Sequence, residues 1–429
     1  MSDLSPEKSP DPKNERRRLP KLVEGRMGTR LYSIAALVER VVEHFDAEHG
    51  IASPSLREAD TSAKRLRLIL DTVNYVLAVE SVTLTPNEKA ELVNKVYSEL
   101  FGYGPLDPLL ADERVTTIAL KGSDHAAVRY GHGELVSIGP LFDDNEHLRR
   151  VISRLLMEAG AQYREDIGII ETGLTVANRR LCLNLVLPPY TMELNADIRL
   201  HPAHAPSLDD LVANEFMSEA AATMIRLIVA SSYGFIVVGE PESGKTTLLG
   251  SLARLLAPEG VVAVERAGEL QLPSAIERLR AQWLIDDQQG ISFGEQIGAA
   301  LAQTPACILL DEVRADEPTT IAPLLEQENP PRQIWAVRGV PDAKRLQSAL
   351  GMLARRASSG RGETLVHALY ERLPFVLTVA RIKERLQLFS IAEWQSRVDT
   401  DYPDYVMLFR YQDGTARSTG KAAARWLDV

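Results

Sequence analysis

The stretch Gly239-Glu240-Pro241-Glu242-Ser243-Gly244-Lys245-Thr246 places two glycines, a lysine and a hydroxyl at the spacing G-x-x-x-x-G-K-T. Glycine at both ends lets the backbone turn tightly, so that main-chain N–H groups and the start of the next helix face a phosphate tail. In that arrangement Lys245 reaches the outer phosphates, the Thr246 hydroxyl takes Mg2+, and Thr247 belongs to the same nucleotide-binding turn. The apolar run "FIVV" before the loop reads as a strand and "TTLLGSLARLL" after it as a helix, which is the context the chemistry needs. Glu240 and Glu242 bring negative charge to the same loop. A cradle of main-chain amides does not depend on the variable side chains, so both carboxylates can point outward. Solvated there, each weakens anion affinity by about 1 kcal/mol or less.

A second set of acids is needed for the metal and the attacking water. "CILLDEVRADEP" delivers Asp311 and Glu312 at the C-terminal end of an apolar strand, the edge where ligands gather in open α/β sheets. Glu312 is expected to orient or deprotonate water, and Asp311 to support the metal. Glu265 and Glu269 follow the apolar run "VVAV" at the same edge, and one of them is expected to share that work. The cofactors implied are ATP and Mg2+.

These residues are carried by an alternation of strands and helices from Ser207 onward. Apolar strands at Phe235–Val238, Val261–Val264, Cys307–Leu310, Ile334–Val337 and Phe375–Val379 imply a mostly parallel sheet covered on both faces. "LQLFSI" and "VMLFRY" read as antiparallel additions. Between Val115 and His201 short alternating stretches and one helix, "NEHLRRVISRLLMEAG", predict a compact α+β domain. Before it, apolar residues at helical spacing from Leu31 and from Leu66 to Val79 predict two helices. Thr85-Pro86-Asn87-Glu88 announces a third, with a capping box and proline in its first turn. The fold class expected is α/β, a P-loop domain (residues 206–429) preceded by an α+β domain (113–205), a helical domain (28–112) and an unordered tail (1–27).

Composition narrows the function. Net charge is −11, from 48 basic and 59 acidic side chains, which argues against a broad electrostatic grip on nucleic acid. No run of about 18 to 20 apolar residues spans a bilayer and no apolar leader opens the chain, so a cytoplasmic location is expected. The basic cluster Arg16, Arg17, Arg18 reads as a solvated charge run in the tail. Cys182 and Cys307 lie in apolar runs and read as buried small hydrophobes. His201 and His204 lack a third ligand nearby in sequence, so no metal site is expected there.

The chain resembles the ATPases of type II and type IV secretion systems, most of all the CpaF-like branch that drives Tad pilus assembly. The likeness covers almost everything after residue 28 and rests on "YGPLDPLLADERVTTIALKG", "LVLPPYTMELNADIRLHP", the phosphate loop, "AVERAGELQL" and "LLDEVRADEP". It implies that the P-loop domain is RecA-like and the α+β domain PAS-like. It implies a subunit of a homo-oligomer, a ring of six, that acts on an inner-membrane platform protein and holds nucleotide between its middle and RecA-like domains. It also implies that Arg199 approaches phosphate from the middle domain and that Arg314 contributes to the nucleotide site. The chain departs from the family pattern at several points. Pro241 and Glu242 replace Thr and Gly of the loop, and Arg266 replaces the Asp after Glu265. Gln282 stands where an Arg is expected and Val337 where a His is expected. Losing several such polar contacts costs turnover more than binding. The alternative is therefore a hydrolysis-deficient paralogue that regulates or joins an active ATPase.

Overall fold

The computed structural model describes residues 22–24, 31–49, 53–164, 166–283, 290–396 and 402–425. The basic cluster at Arg16–Arg18 lies outside them. The chain divides into two compact units, residues 1–108 and 109–429.

In the first unit, helices Ile34–Glu48, Ser62–Val79 and Pro86–Phe101 share a core that includes Leu37, Val41, Phe45, Ile69, Val73, Leu92 and Val96. The third helix starts as its sequence dictates. The Glu88 N–H donates to Thr85 Oγ1 at 3.3 Å, and the Thr85 N–H donates to Glu88 Oε2 at 3.0 Å. The first helix starts later than the apolar spacing predicts. Ser33 accepts the Ala36 N–H at 3.0 Å and so ends the helix at its own position. Leu31 instead belongs to a strand, Leu31–Ser33, paired antiparallel with Leu22–Glu24. That second strand falls in the stretch whose composition predicts no order.

In the second unit, a nine-stranded sheet runs in the order 277–280, 261–265, 307–313, 332–338, 235–239, 375–382, 385–395, 404–412, 415–418. The first six strands are parallel and the last three antiparallel. Strand Phe235–Gly239 is wholly buried, with neighbours on both sides and helices on both faces. Its alternate side chains go to opposite cores. Phe235 and Val237 pack with Ile225, Leu248 and Leu249, while Ile236 and Val238 pack with Ile297, Leu350 and Trp335. The phosphate loop therefore leaves a strand buried on both faces in the interior of the sheet.

The other sheet of this unit is antiparallel throughout, in the order 135–139, 125–130, 115–121, 195–200, 179–186, 169–176. Its register aligns Val128, Ile118, Ile198 and Leu183 in one buried row. Helix Asn145–Glu158, capped by Asp144, buries Leu148, Val151, Ile152, Leu155 and Leu156. The next row across the same strands is Arg129, Thr117, Arg199, Cys182 and Gly173. Successive residues of a strand face opposite sides, so the second row lies on the face away from that buried row.

Candidate functional site

The phosphate loop is shaped by what glycine alone permits. A Cβ on Gly239 would collide with the Ser243 hydroxyl and the Val379 carbonyl, and Gly244 sits at φ +94°. Helix Lys245–Ala253 begins directly after it. Lys245, the first residue of that helix, is buried, and its ammonium donates to the Glu240 carbonyl at 2.8 Å. Burial pulls its pKa down to about 8 against the upward pull of Glu312 and Glu269. Glu240 and Pro241 are exposed, as expected of variable positions.

Glu242 is not turned to solvent. It occupies φ +57°, and its carboxylate reaches across to the antiparallel sheet. Thr117 Oγ1 donates to its Oε1 at 2.9 Å, and the Arg129 guanidinium donates to its Oε2. Arg381, from strand Phe375–Ile382, donates to the Glu242 carbonyl at 3.2 Å. Of the two placements open to Glu242 the inward one is found, because a cationic strand row faces the loop and a carboxylate beside a guanidinium pairs with it.

A cleft between the loop and that row is lined by Thr117, Arg129, Arg199, Glu242, Gly244, Lys245, Thr246, Thr247, Glu269, Asp311 and Glu312, among others. Of the acids read from sequence, Glu312, Asp311 and Glu269 line it. Asp311 is held in strand Cys307–Val313. Its Oδ2 accepts the Arg266 N–H at 2.8 Å, while its Oδ1 is buried without a partner. Burial and then the neighbouring Glu265 push its carboxyl well above the ordinary range. Glu312 Oε1 accepts from Arg314 Nε at 3.0 Å.

Glu269 joins the two sheets. Its Oε2 lies 2.9 Å from His201 Nε2 and its Oε1 lies 3.5 Å from Arg199 Nη2. Burial would raise its pKa, but the Arg199 guanidinium and His201 overrule that and hold it far below the usual range. Arg199 in turn loses to burial and gains more from Glu269, so its pKa rises.

Two sequence-derived assignments move. Glu265 does not line the cleft. It is fully buried, ion-paired with Arg278 and accepting the Leu270 N–H at 2.9 Å, because the strand Glu277–Arg280 brings a guanidinium to its side. Arg314 does not line the cleft either, and spans Glu312 and Glu171 Oε2 at 2.5 Å. Cleft residues that the sequence alone does not single out include Thr117, Arg129, Glu171, His132 and Arg381. No motif marks them. The available signal was the polar side of amphipathic strands, Thr117, Arg129 and Arg199 beside Ile118, Val128 and Ile198.

The donors present fit a Mg2+-bound nucleoside triphosphate. A carboxylate oxygen without a partner on Asp311 and the Thr246 hydroxyl are the hard oxygen ligands that Mg2+ takes. Arg129 Nε and Arg199 Nε are buried N–H donors without a hydrogen-bond acceptor in the same cleft. The collision at Gly239 marks a backbone that leaves no room for a side chain where phosphate is cradled.

Comparison with known proteins finds a distant relationship. Residues 138–324 match the family described as type II/IV secretion system protein. A Mycobacterium tuberculosis protein described as a conjugal transfer protein is 29% identical over 227 residues, 51% of this chain and 64% of that protein. The chain is a distant relative of type II/IV secretion system proteins. The Bordetella pertussis type IV secretion system protein PtlH is 29% identical over 120 residues, covering 27% of this chain and 35% of its own. Among solved structures, the pilus retraction motor PilT with bound ADP is 17% identical, with TM-score 0.48 over 67% of this chain and 81% of that one. The VirB11 ATPase of the Brucella suis type IV secretion system is 18% identical, with TM-score 0.34 over 67% and 95%. The match spans less than two thirds of either curated relative's length. Among the described residues no helix is long and apolar enough to cross a membrane.

Proposed function

We propose that this chain is an ATP-binding and ATP-hydrolysing motor subunit that powers type II/IV-type secretion or Tad pilus assembly at the inner membrane. The observation that carries the reading is the convergence of Lys245, Thr246, Asp311 and Glu312 on one cleft beside a glycine-shaped loop. Lys245 neutralises the outer phosphates, and Thr246 with Asp311 holds Mg2+, which when bound spreads charge off the phosphoryl oxygens. Glu312 orients and deprotonates the attacking water, and Arg199 brings positive charge from the antiparallel sheet. Residues 113–205 serve as a PAS-like module and 206–429 as the RecA-like module. Residues 28–112 form a helical module behind a tail at 1–27. The functional unit is a homo-oligomer, a ring of six, acting in the cytoplasm on an inner-membrane platform protein and not on nucleic acid.

A second reading is favoured by the engagement of the two cleft carboxylates nearest in role to a base. Glu312 is bonded by Arg314, and Glu269 by Arg199 and His201. A chain so arranged binds nucleotide, turns it over slowly or not at all, and regulates or joins an active ATPase. Phosphate release by the assembled full chain with Mg2+ and ATP separates the two. The motor releases phosphate and loses this with Lys245→Ala. The regulatory subunit takes up a non-hydrolysable analogue and releases none. No uptake at millimolar analogue overturns both.

A further inference from the structure

We propose that Glu242 is an affinity-setting residue, an internal counter-anion that holds Arg129 until the phosphates of an incoming nucleotide displace it. The proposal rests on the reading of the cleft as a nucleotide site and adds a determinant that the loop motif does not contain.

Glu242 stands in a backbone conformation that costs a side-chain-bearing residue free energy and costs glycine almost none. Such a residue persists when its surroundings hold it. Three groups do so here. Thr117 and Arg129, opposite each other on paired strands, bind its carboxylate, and Arg381 binds its carbonyl. The side chains of Glu242 and Arg129 are only 25% and 18% exposed, so the ion pair is shielded from salt and water. Both belong to the cleft wall that also contains Lys245, Thr246 and Arg199.

The Arg129 guanidinium has five N–H donors, and its Nε is buried without a partner. A carboxylate already occupies Nη1. A phosphate oxygen seeking the same fork meets competition from Glu242 and repulsion from its charge. By linkage, nucleotide binding and the Glu242–Arg129 pair weaken each other by the same factor. Removing the carboxylate frees one cation and deletes one anion at the wall. The affinity for a polyphosphate rises about tenfold, the scale of a close charge pair in a partly dry interface.

The test is calorimetry on the full chain with Mg2+ and a non-hydrolysable ATP analogue, repeated with inorganic pyrophosphate. Glu242→Gln and Glu242→Gly both tighten binding about tenfold, and pyrophosphate gains as much as the analogue because the contact is to phosphate alone. Glu242→Gly fits the φ of the site and guards against a misfolded Gln variant. In an Arg129→Gln background the gain disappears. Wild-type binding that is unchanged or weakened by both substitutions overturns the counter-anion and leaves the nucleotide site intact. A gain that persists without Arg129 also overturns it. Uptake by the variants with none by the wild type is its strongest support, and no uptake by any variant removes the site and the proposal together.

Discussion

Glu269→Gln tests whether the two sheets of the second unit are held together through the cleft. The Glu269 carboxylate lies 3.5 Å from the Arg199 guanidinium and 2.9 Å from His201 Nε2, and its side chain is 11% exposed. The glutamine keeps the shape and one acceptor for His201 but removes the charge that answers Arg199. What remains near that guanidinium is Asp197 Oδ2 at 3.9 Å and the Cys182 sulfur at 3.5 Å. At an effective dielectric of about 20, two charges 3.5 Å apart attract by about 5 kcal/mol before desolvation is counted. Breaking one side of a buried pair costs about 3 to 5 kcal/mol, and the residual Asp197 contact puts the expectation at about 3 kcal/mol. Denaturant unfolding of the full chain at neutral pH reads the loss. Amide exchange in the strand Asn195–Leu200 shows whether it is localised there.

The pH dependence adds a second constraint. The folded pKa of Glu269 is depressed below its ordinary 4.5, so its contribution is complete above that value and is lost as pH falls through the folded pKa. The part of the gap due to ionisation of Glu269 itself is therefore complete above about pH 5 and is lost only in stronger acid. A loss under about 1 kcal/mol at neutral pH, or a gap that does not narrow in acid, refutes the pairing as the element that joins the sheets.

Glu312→Gln keeps nucleotide uptake and lowers phosphate release by about a hundredfold or more, measured with the assembled chain, if the carboxylate activates water. Gly239→Ala forces a Cβ into the Ser243 hydroxyl and the Val379 carbonyl, so analogue binding falls below detection in calorimetry while far-ultraviolet dichroism is retained. Gly173→Ala drives a Cβ into the Ala267 carbonyl and lowers the denaturant midpoint by an amount equivalent to about 1 to 3 kcal/mol. Thr85→Ala removes the reciprocal cap of helix Pro86–Phe101 and costs about 1 kcal/mol, read from its helical melting.

The parallel strands were legible because buried β-strands announce themselves as short apolar runs, and Phe235, Val261, Cys307 and Phe375 each begin one. The strand Glu277–Arg280 escaped because "ERLR" at a sheet edge carries charges and no such run. The motif located Gly239, Gly244, Lys245 and Thr246 because local backbone chemistry fixes their spacing. Arg129 and Thr117 were illegible as site residues for the opposite reason. Only the long-range register that aligns them with Arg199 brings them to the loop. Of the pair Glu265 and Glu269, from which one is expected to act, the sequence does not tell which reaches the cleft, because the guanidinium of Arg278 that occupies Glu265 comes from a separate strand.

Glu242 and Arg266, two of the positions where the chain departs from the pattern it resembles, are paired rather than left as isolated charges. Decay predicts unpaired charges left in a partly dry site, which are costly. Glu242 instead has Arg129, Thr117 and Arg381 as partners. Arg266, standing where an aspartate belongs in the family pattern, donates from Nη1 and Nη2 to Glu317 and from Nε to the Glu312 carbonyl, and stacks 4.3 Å from the Phe293 ring centroid. Its guanidinium thus neutralises an acid beside the cleft, while its N–H fixes Asp311. The charges of Glu242 and Arg266 are each answered by a residue on another strand or loop. With both charges paired the loop forms at no unpaired-charge cost, so on the proposed reading any penalty falls on how tightly phosphate is held rather than on whether the loop can form.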